Sequence, residues 1–248
     1  MPICKLLFNV PPDITVNAED LKDDVLELVS LLNRNGQIIS EGGVCIINGC
    51  QAYIDVLCQE LTSLNTRNNN RYINHLIENI HLDHQAVFSY EVMDESNNQD
   101  GFSAYQSADF FILHWKHYSP LMSGNSFEPI PLYYFPYSDH DKQSYNDIHF
   151  WQNNYDRIYG LWRSGEIDES IFYNYLSNIN SPLNKQGLAC CRNLEQLVDK
   201  AVYYYLFYYG DEPQASDCPG CGRSWRLQTP LFDTFHFKCD HCSIVSNE

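Results

Sequence analysis

The sequence predicts an α+β fold: a ferredoxin-like βαββαβ N-terminal half, a helical middle and a C-terminal four-cysteine zinc ribbon. Three observations carry that reading. Hydrophobic periodicity switches between the strand and helix repeats in the order β-α-β-β-α-β over the first 94 residues. Helical patterns then dominate from about Tyr145 to Lys200. Two Cys-x-x-Cys pairs follow near the C-terminal end. The expected regions are 1–94, a mixed strand and helix region over 95–212 packed on it, and a ribbon over 213–248.

Ile3 to Val10 reads as a strand that ends at Pro11-Pro12. A helix is expected from Ala18 to Arg34, with Asn17 as N-cap, Glu19 and Asp20 in the first turn and Gly36 just beyond the end. Leu21, Val25, Leu28 and Leu32 supply its apolar face. Gln37 to Asn48 reads as strand with a turn or bulge at Gly42-Gly43, and Gln51 to Cys58 as the next strand. After Asn68-Asn69-Asn70 a helix is expected from Arg71 to Asn79, and Ala86 to Met93 reads as a further strand. Asp94 to Gln106 is the expected linker or mobile loop. Asp109 to Lys116 and Pro131 to Phe135 are expected strands flanking a loop over Ser119 to Ser126. Two or three helices precede a buried strand within Ala201 to Tyr209.

A chain of 248 residues buries roughly 70–75% of its unfolded surface, so it needs neither disulfide nor metal to obtain a core. Its 32 Asp and Glu against 15 Lys and Arg leave a formal charge of -17. Such a field repels phosphate backbones and anionic lipids and favours basic partners. The opening reaches Pro11, Pro12 and Asp13 too early for a signal-peptide core. No apolar run approaches the ~20 residues a bilayer span requires. A soluble, cytoplasmic protein without membrane partners is expected. Ten cysteines in such a chain point to metal binding and buried thiols rather than disulfides. Cys4, Cys45, Cys50 and Cys58 fall on apolar, strand-like segments and read as small hydrophobes.

The strongest chemical signal is Cys218-Pro219-Gly220-Cys221-Gly222 followed by Cys239-Asp240-His241-Cys242. Two Cys-x-x-Cys pairs with residues 222–238 between them match four-thiolate zinc spacing. Gly220 and Gly222 supply turn freedom for the knuckle, and Trp225, Leu227, Phe235 and Phe237 are expected to pack beside the metal. Four thiolates complete a tetrahedral shell and leave no position for substrate, so the zinc expected at Cys218, Cys221, Cys239 and Cys242 is structural. In this segment Arg223, Arg226 and Lys238 stand against Asp217, Asp233, Asp240 and Glu248, and the bound thiolates add further negative charge. Charge therefore disfavours nucleic acid as the ribbon's partner.

Enzyme readings rest on weaker signals, and no catalytic or cofactor-binding residues are assigned. Tyr137, Asp139, His140 and Asp141 form a compact polar cluster that could supply an acid–base pair or a second metal site, with a solvated loop as the favoured reading. His81 and His84, and His114 and His117, have ligand-compatible spacing on a helix, but the second pair falls in an expected strand, where that spacing points them to opposite faces. Cys190 and Cys191 on a helix point about a hundred degrees apart, against a redox pair. Tyr133-Tyr134, Tyr203-Tyr204-Tyr205 and Tyr208-Tyr209 read as core, with an interface as the second option.

The chain resembles a bacterial family described as zinc-ribbon-containing proteins with a suggested nucleic-acid-binding role. The resemblance runs through Asn35-Gly36-Gln37, Asn70-Arg71-Tyr72, Ser119-Pro120-Leu121, Pro129-Ile130-Pro131-Leu132-Tyr133 and Tyr203-Tyr204-Tyr205-Leu206. It is densest across the ribbon, from Cys218-Pro219 to Val245-Ser246-Asn247. It implies one architecture over nearly the whole chain and the four zinc ligands above, and it implies no established activity. Members of that family carry cysteine in the loop where this chain has Ser123, Asn125 and Ser126, so any metal bound there is lost here. The nucleic-acid role rests on the ribbon by analogy. The expectation from charge is a non-enzymatic module that binds a basic protein, for example an immunity or antitoxin protein masking a basic toxin.

Overall fold

Alternation builds the first sheet. In β1 (Ile3–Asn9) Cys4, Leu6 and Phe8 point to one side and are fully buried. This computed structural model describes residues 1–39, 42–94, 101–116, 118–139, 144–165, 168–210 and 216–248. Ser40, Glu41, residues 95–100 of the expected linker, His117, His140, Asp141 and Gln214 lie outside the described residues. The described chain is mixed α and β with two sheets and divides into two compact units.

The first unit holds residues 1–101, 131–133 and 141–145. After β1 come α1 (Ala18–Arg34), β2 (Ile46–Asn48), β3 (Gln51–Leu57), α2 (Arg71–His84) and β4 (Val87–Asp94). The sheet order is β2-β3-β1-β4, with every neighbouring pair antiparallel. Leu21, Val25, Leu28, Val29 and Leu32 of α1 and Ile73, Leu76 and Ile80 of α2 close over the buried face of β1 and β3. Asn17 Oδ1 accepts from the Glu19 N–H at 3.1 Å, which sets the start of α1 where the sequence places it. The helix α2 runs on past Asn79 to His84, since Ile80 continues its apolar stripe. His84 Nε2 meets Asp24 Oδ2 of α1 at 2.7 Å.

A buried polar network ties these elements together. Asn35 Nδ2 donates to Gln37 Oε1 at 2.8 Å and to the Asn68 carbonyl at 2.6 Å. Gln37 Nε2 donates to the Ser63 carbonyl and to Asn69 Oδ1. Asn70 Oδ1 caps α2 at the Ile73 N–H, and Ser63 Oγ lies 3.2 Å from the Tyr133 hydroxyl. Gly36 has φ +75, and a Cβ there would stand 2.9 Å from Leu132 Cβ. Scattered motifs of the sequence (Asn35-Gly36-Gln37, Asn70, Leu132-Tyr133) thus converge on one place.

The second unit holds residues 102–130, 134–140 and 146–248. Beyond α3 (Gly101–Ser107) it contains β5 (Phe111–Leu113), β6 (Leu121–Ser123), α4 (Asn146–Ser164), α5 (Glu169–Ser177), α6 (Pro182–Val198) and β7 (Val202–Tyr205). The C-terminal segment adds β8 (Arg226–Leu231), β9 (Phe235–Cys239) and β10 (Ile244–Ser246). All six strands form one sheet in the order β6-β5-β7-β10-β9-β8. β7 is central, parallel to β5 on one side and to β10 on the other, and every one of its residues is buried. Tyr204 donates to Asn184 Oδ1 at 2.6 Å, and its ring packs where a Cβ on Gly187 of α6 would come within 2.1 Å. Tyr203 and Tyr205 donate to Asp240 and Asn247, so this tyrosine triplet is core.

Several expectations are corrected. Pro131 to Phe135 is no strand: it carries a 3-10 turn over Leu132–Tyr134, because Pro129 and Pro131 remove ladder donors. The expected loop instead contributes β6, with Ser119 Oγ donating to the Ile130 carbonyl and Ser123 Oγ accepting from the Asn125 N–H. The expected linker contains α3, and Glu60 Oε2 accepts from the Gly101 N–H at 3.1 Å. Among the described residues of the expected strand Gln37 to Asn48, an Ile38–Cys58 bridge and β2 are extended and paired. The strand within Ala201 to Tyr209 is cut to β7, and Tyr209 is exposed. Cys50 lies exposed in a turn, while Cys4, Cys45 and Cys58 are buried as expected. Among the described residues no helix is long and apolar enough to cross a membrane.

Replacing the fully buried Gln37 by Leu removes a donor from the Ser63 carbonyl and Asn69 Oδ1 and an acceptor from Asn35 Nδ2, three bonds worth about 0.5–1.5 kcal/mol each. Urea unfolding of Gln37→Leu is expected to show a loss of about 2 kcal/mol or more. Gln51→Ala, which removes an exposed bond to Asn9, should stay within ~0.5 kcal/mol of wild type.

Candidate metal centre

The four ribbon cysteines are brought together by two turns of the same construction. In the first, the Gly222 N–H donates to the Cys218 carbonyl at 2.8 Å, and Gly222 has φ +70. In the second, Ser243 occupies the same place after Cys242, with φ 52. The chain must enter the left-handed region after each pair to turn the second sulfur back toward the first. The hairpin of β8 and β9 spans the gap between the turns, and Trp225 packs on Phe237 at 5.0 Å.

The sulfurs of Cys218, Cys221, Cys239 and Cys242 lie within 4.8 Å of one another. Cys221 Sγ and Cys239 Sγ are 3.6 Å apart, and Cys218 Sγ accepts from the Gly220 N–H at 3.4 Å. A tetrahedral ion with bonds of about 2.3 Å separates its sulfurs by about 3.8 Å, so the donor set fits a metal ion. Backbone donors favour the charged sulfur. The Arg223 N–H holds the Cys221 thiol below its ordinary value, whereas burial pushes Cys239 up. Thiolates this close repel one another, and a cation among them removes that cost. Gly220 is required for a different reason from Gly222: a Cβ there would stand 2.7 Å from Cys242 Sγ.

Two clefts border the centre. The larger, about 500 Å³, lies between α6 and the knuckles and is lined by Lys185, Leu188, Arg192 and Glu195, with Ser243 and His241 opposite. Lys185, Leu188, Arg192 and Glu195 fall on one face of α6 by helical spacing. The smaller, about 250 Å³, is walled by Tyr173, Phe207, Tyr208 and Trp225, with Asp217 and Pro219 at the first knuckle. Sequence reasoning missed both. The aromatic run 203–209 was visible, but not which rings face a cavity.

Among the described residues the other candidates do not assemble into a site. Asp139 Oδ2 accepts from Asn146 Nδ2, and Ser138 donates to Asp147, so the described part of the Tyr137–Asp141 loop secures the start of α4. Burial pushes the Tyr137 hydroxyl up. His81 Nδ1 lies 3.3 Å from the Ala86 carbonyl and His84 is held by Asp24, so the two do not face a common point. His114 is not in a strand; it sits just after β5 in an aromatic cluster, 4.6 Å from Tyr205. Cys190 and Cys191 are buried in α6, where burial pushes both thiols well up and makes them inert.

Fold and site together define an α+β protein with a C-terminal four-cysteine cluster that could hold a metal ion. Three domain families match it, each described only as a domain of unknown function: DUF8589 over residues 1–92, DUF2310 over 105–207 and DUF8594 over 210–248. An uncharacterized protein of Haemophilus influenzae is 31% identical over 230 residues, covering 86% of this chain and 85% of the relative. A second uncharacterized protein of that organism is 34% identical over 166 residues, covering 60% of this chain and 78% of the relative. The chain belongs to this bacterial family. No solved structure matches it.

Because thiolates bind metal and thiols do not, protons compete for the sulfurs: a metal bound at neutral pH is expected to be lost as pH falls. In a competition assay with a chromophoric chelator, Gly220→Ala should lower metal affinity at least ~10-fold by displacing Cys242. Gly222→Ala meets no neighbour and should cost only the ~1–2 kcal/mol of a left-handed alanine.

Proposed function

We propose that the chain is a non-enzymatic zinc-ribbon protein with a ferredoxin-like N-terminal half, and that it binds a basic protein partner. Masking of a basic toxin is one concrete form of that role. The observation that carries the reading is the charge of -17. The outer face of α1 presents Asp20, Asp23 and Glu27 exposed and without ion pairs among the described residues. A field of that sign speeds encounter with basic proteins and suppresses acidic ones.

The finer structural terms have their own support. Read from its outer edge, the first sheet runs β4-β1-β3-β2, the order a ferredoxin-like unit requires. Four sulfur donors in tetrahedral reach favour zinc among the divalent ions, with iron as the competitor. Six further cysteines kept as thiols suit a reducing, cytoplasmic setting.

The test is an affinity pull-down from the native bacterium, with and without nuclease, followed by rebinding of the purified partner. One basic protein that survives nuclease, rebinds and weakens with salt supports the reading; a retained set that vanishes with nuclease overturns it. Metal analysis should give one zinc per chain, absent in the Cys218→Ser, Cys239→Ser double variant, whose C-terminal segment becomes protease-sensitive.

A nucleic-acid-binding role is the second reading, and one observation favours it. Lys185 and Arg192 line the larger cleft without ion pairs among the described residues, a local basic surface against the global charge. On that reading single-stranded DNA binds with a steep salt dependence, and Arg192→Glu reduces the slope by about one. No binding by fluorescence anisotropy at low salt would remove it.

A further inference from the structure

The smaller cleft differs in kind from the larger one. Its lining contains Tyr173, Phe207, Tyr208 and Trp225 with one carboxylate, Asp217, and no Lys, Arg or His. Its walls are fixed. Trp225 is 2% exposed, and Phe207 is 8% exposed and packs edge-on to Trp162 at 5.1 Å. Tyr173 also meets Phe207, at 6.3 Å, and its hydroxyl accepts from the Tyr209 N–H. The backbone of Tyr208 is clamped at both ends of one peptide unit's reach: its N–H donates to Asn247 Oδ1 at 3.3 Å, and its carbonyl accepts from Asn247 Nδ2 at 2.8 Å. Asp217 at the mouth is exposed and has no ion pair among the described residues.

Aromatic walls with a carboxylate at the mouth match a cationic ligand. Ring faces carry a negative quadrupole and attract cations, and a planar guanidinium both stacks on a ring and pairs with a carboxylate in bidentate fashion. Four thiolates around a divalent ion add net negative charge beside Pro219, which favours a cation here and opposes an anion. A space of about 250 Å³ holds about eight waters at roughly 30 Å³ each, comparable with an arginine side chain and too small for a folded element.

We infer that this cleft is the specificity pocket for an arginine side chain of the basic partner, stacked against the half-buried rings of Tyr173 and Tyr208 over a floor of Phe207 and Trp225, and paired with Asp217. The inference rests on the reading of the chain as a module for a basic protein, and it adds where and by what side chain that protein is gripped. The diffuse acidic surface gives attraction without register. A single walled pocket converts it into recognition of one residue.

The experiment uses the full, metal-loaded chain and two probes, Nα-acetyl-arginine amide and a nona-arginine peptide. In an NMR titration the arginine amide should shift the Trp225 indole and the amides of Tyr208 and Asp217, and its neutral citrulline counterpart should not. Asp217→Asn should weaken nona-arginine binding about 3- to 5-fold, while Asp23→Asn on α1, which removes the same charge elsewhere, changes it less than ~2-fold. Unchanged metal content shows that Asp217→Asn leaves the ribbon folded. If nona-arginine binds wild type and Asp217→Asn alike and the cleft signals stay still, the pocket is refuted while the basic-partner reading stands. If nona-arginine fails to bind at physiological ionic strength, that reading falls and the pocket with it.

Discussion

The parallel pairing of β10 with β7 is the contact on which the second unit depends. β7 lies in the middle of a six-stranded sheet, and its four residues are buried on both faces. On one side it meets β5; on the other, Ile244 and Val245 of the four-cysteine segment lie opposite Tyr204 and Tyr205. The four-cysteine segment is therefore continuous with the main sheet. Tyrosine serves here where valine or isoleucine is the usual choice for a doubly covered strand. Its extra reach lets each hydroxyl leave the sheet and find Asp240, Asn184 or Asn247.

The first unit rests on a different kind of constraint. Its apolar layers are ordinary, but Asn35, Gln37, Ser63, Asn69 and Asn70 bring a polar network into the interior. Such groups are tolerated only when each finds a partner, so they fix one arrangement of the loops before α2. The network also explains why short motifs far apart in the chain travel together: Gly36 must admit Leu132, and Ser63 must meet Tyr133.

Legibility followed the range of the interaction. α1 was readable to its bounds because its cap, stripe and terminating glycine are local, and the cysteine pairs were readable because metal spacing is local too. Pro131 to Phe135 and Leu121–Ser123 were misread in opposite directions, since β6 exists only through its pairing with β5 and carries buried serines that look like loop. The clefts were invisible for the same reason. Asp217 and Tyr173 stand far apart in sequence, and nothing in either neighbourhood announces a shared cavity.

The junction of β7 with β10 carries a thermodynamic consequence. Cys239 ends β9 and Cys242 lies just before β10, so an ion held by the four sulfurs orders the strand that completes the large sheet. Any ligand that binds only the folded state adds RT ln(1 + [L]/Kd) to its stability. Each tenfold rise in free metal above the dissociation constant then stabilises the second unit by about 1.4 kcal/mol. Helices that touch no sulfur, such as α4, share in that gain through Tyr204 and Trp151, whose rings lie 5.8 Å apart. With an ion held there, the unit's folded population would follow the metal activity around it, and chelation would act on its core as a denaturant does.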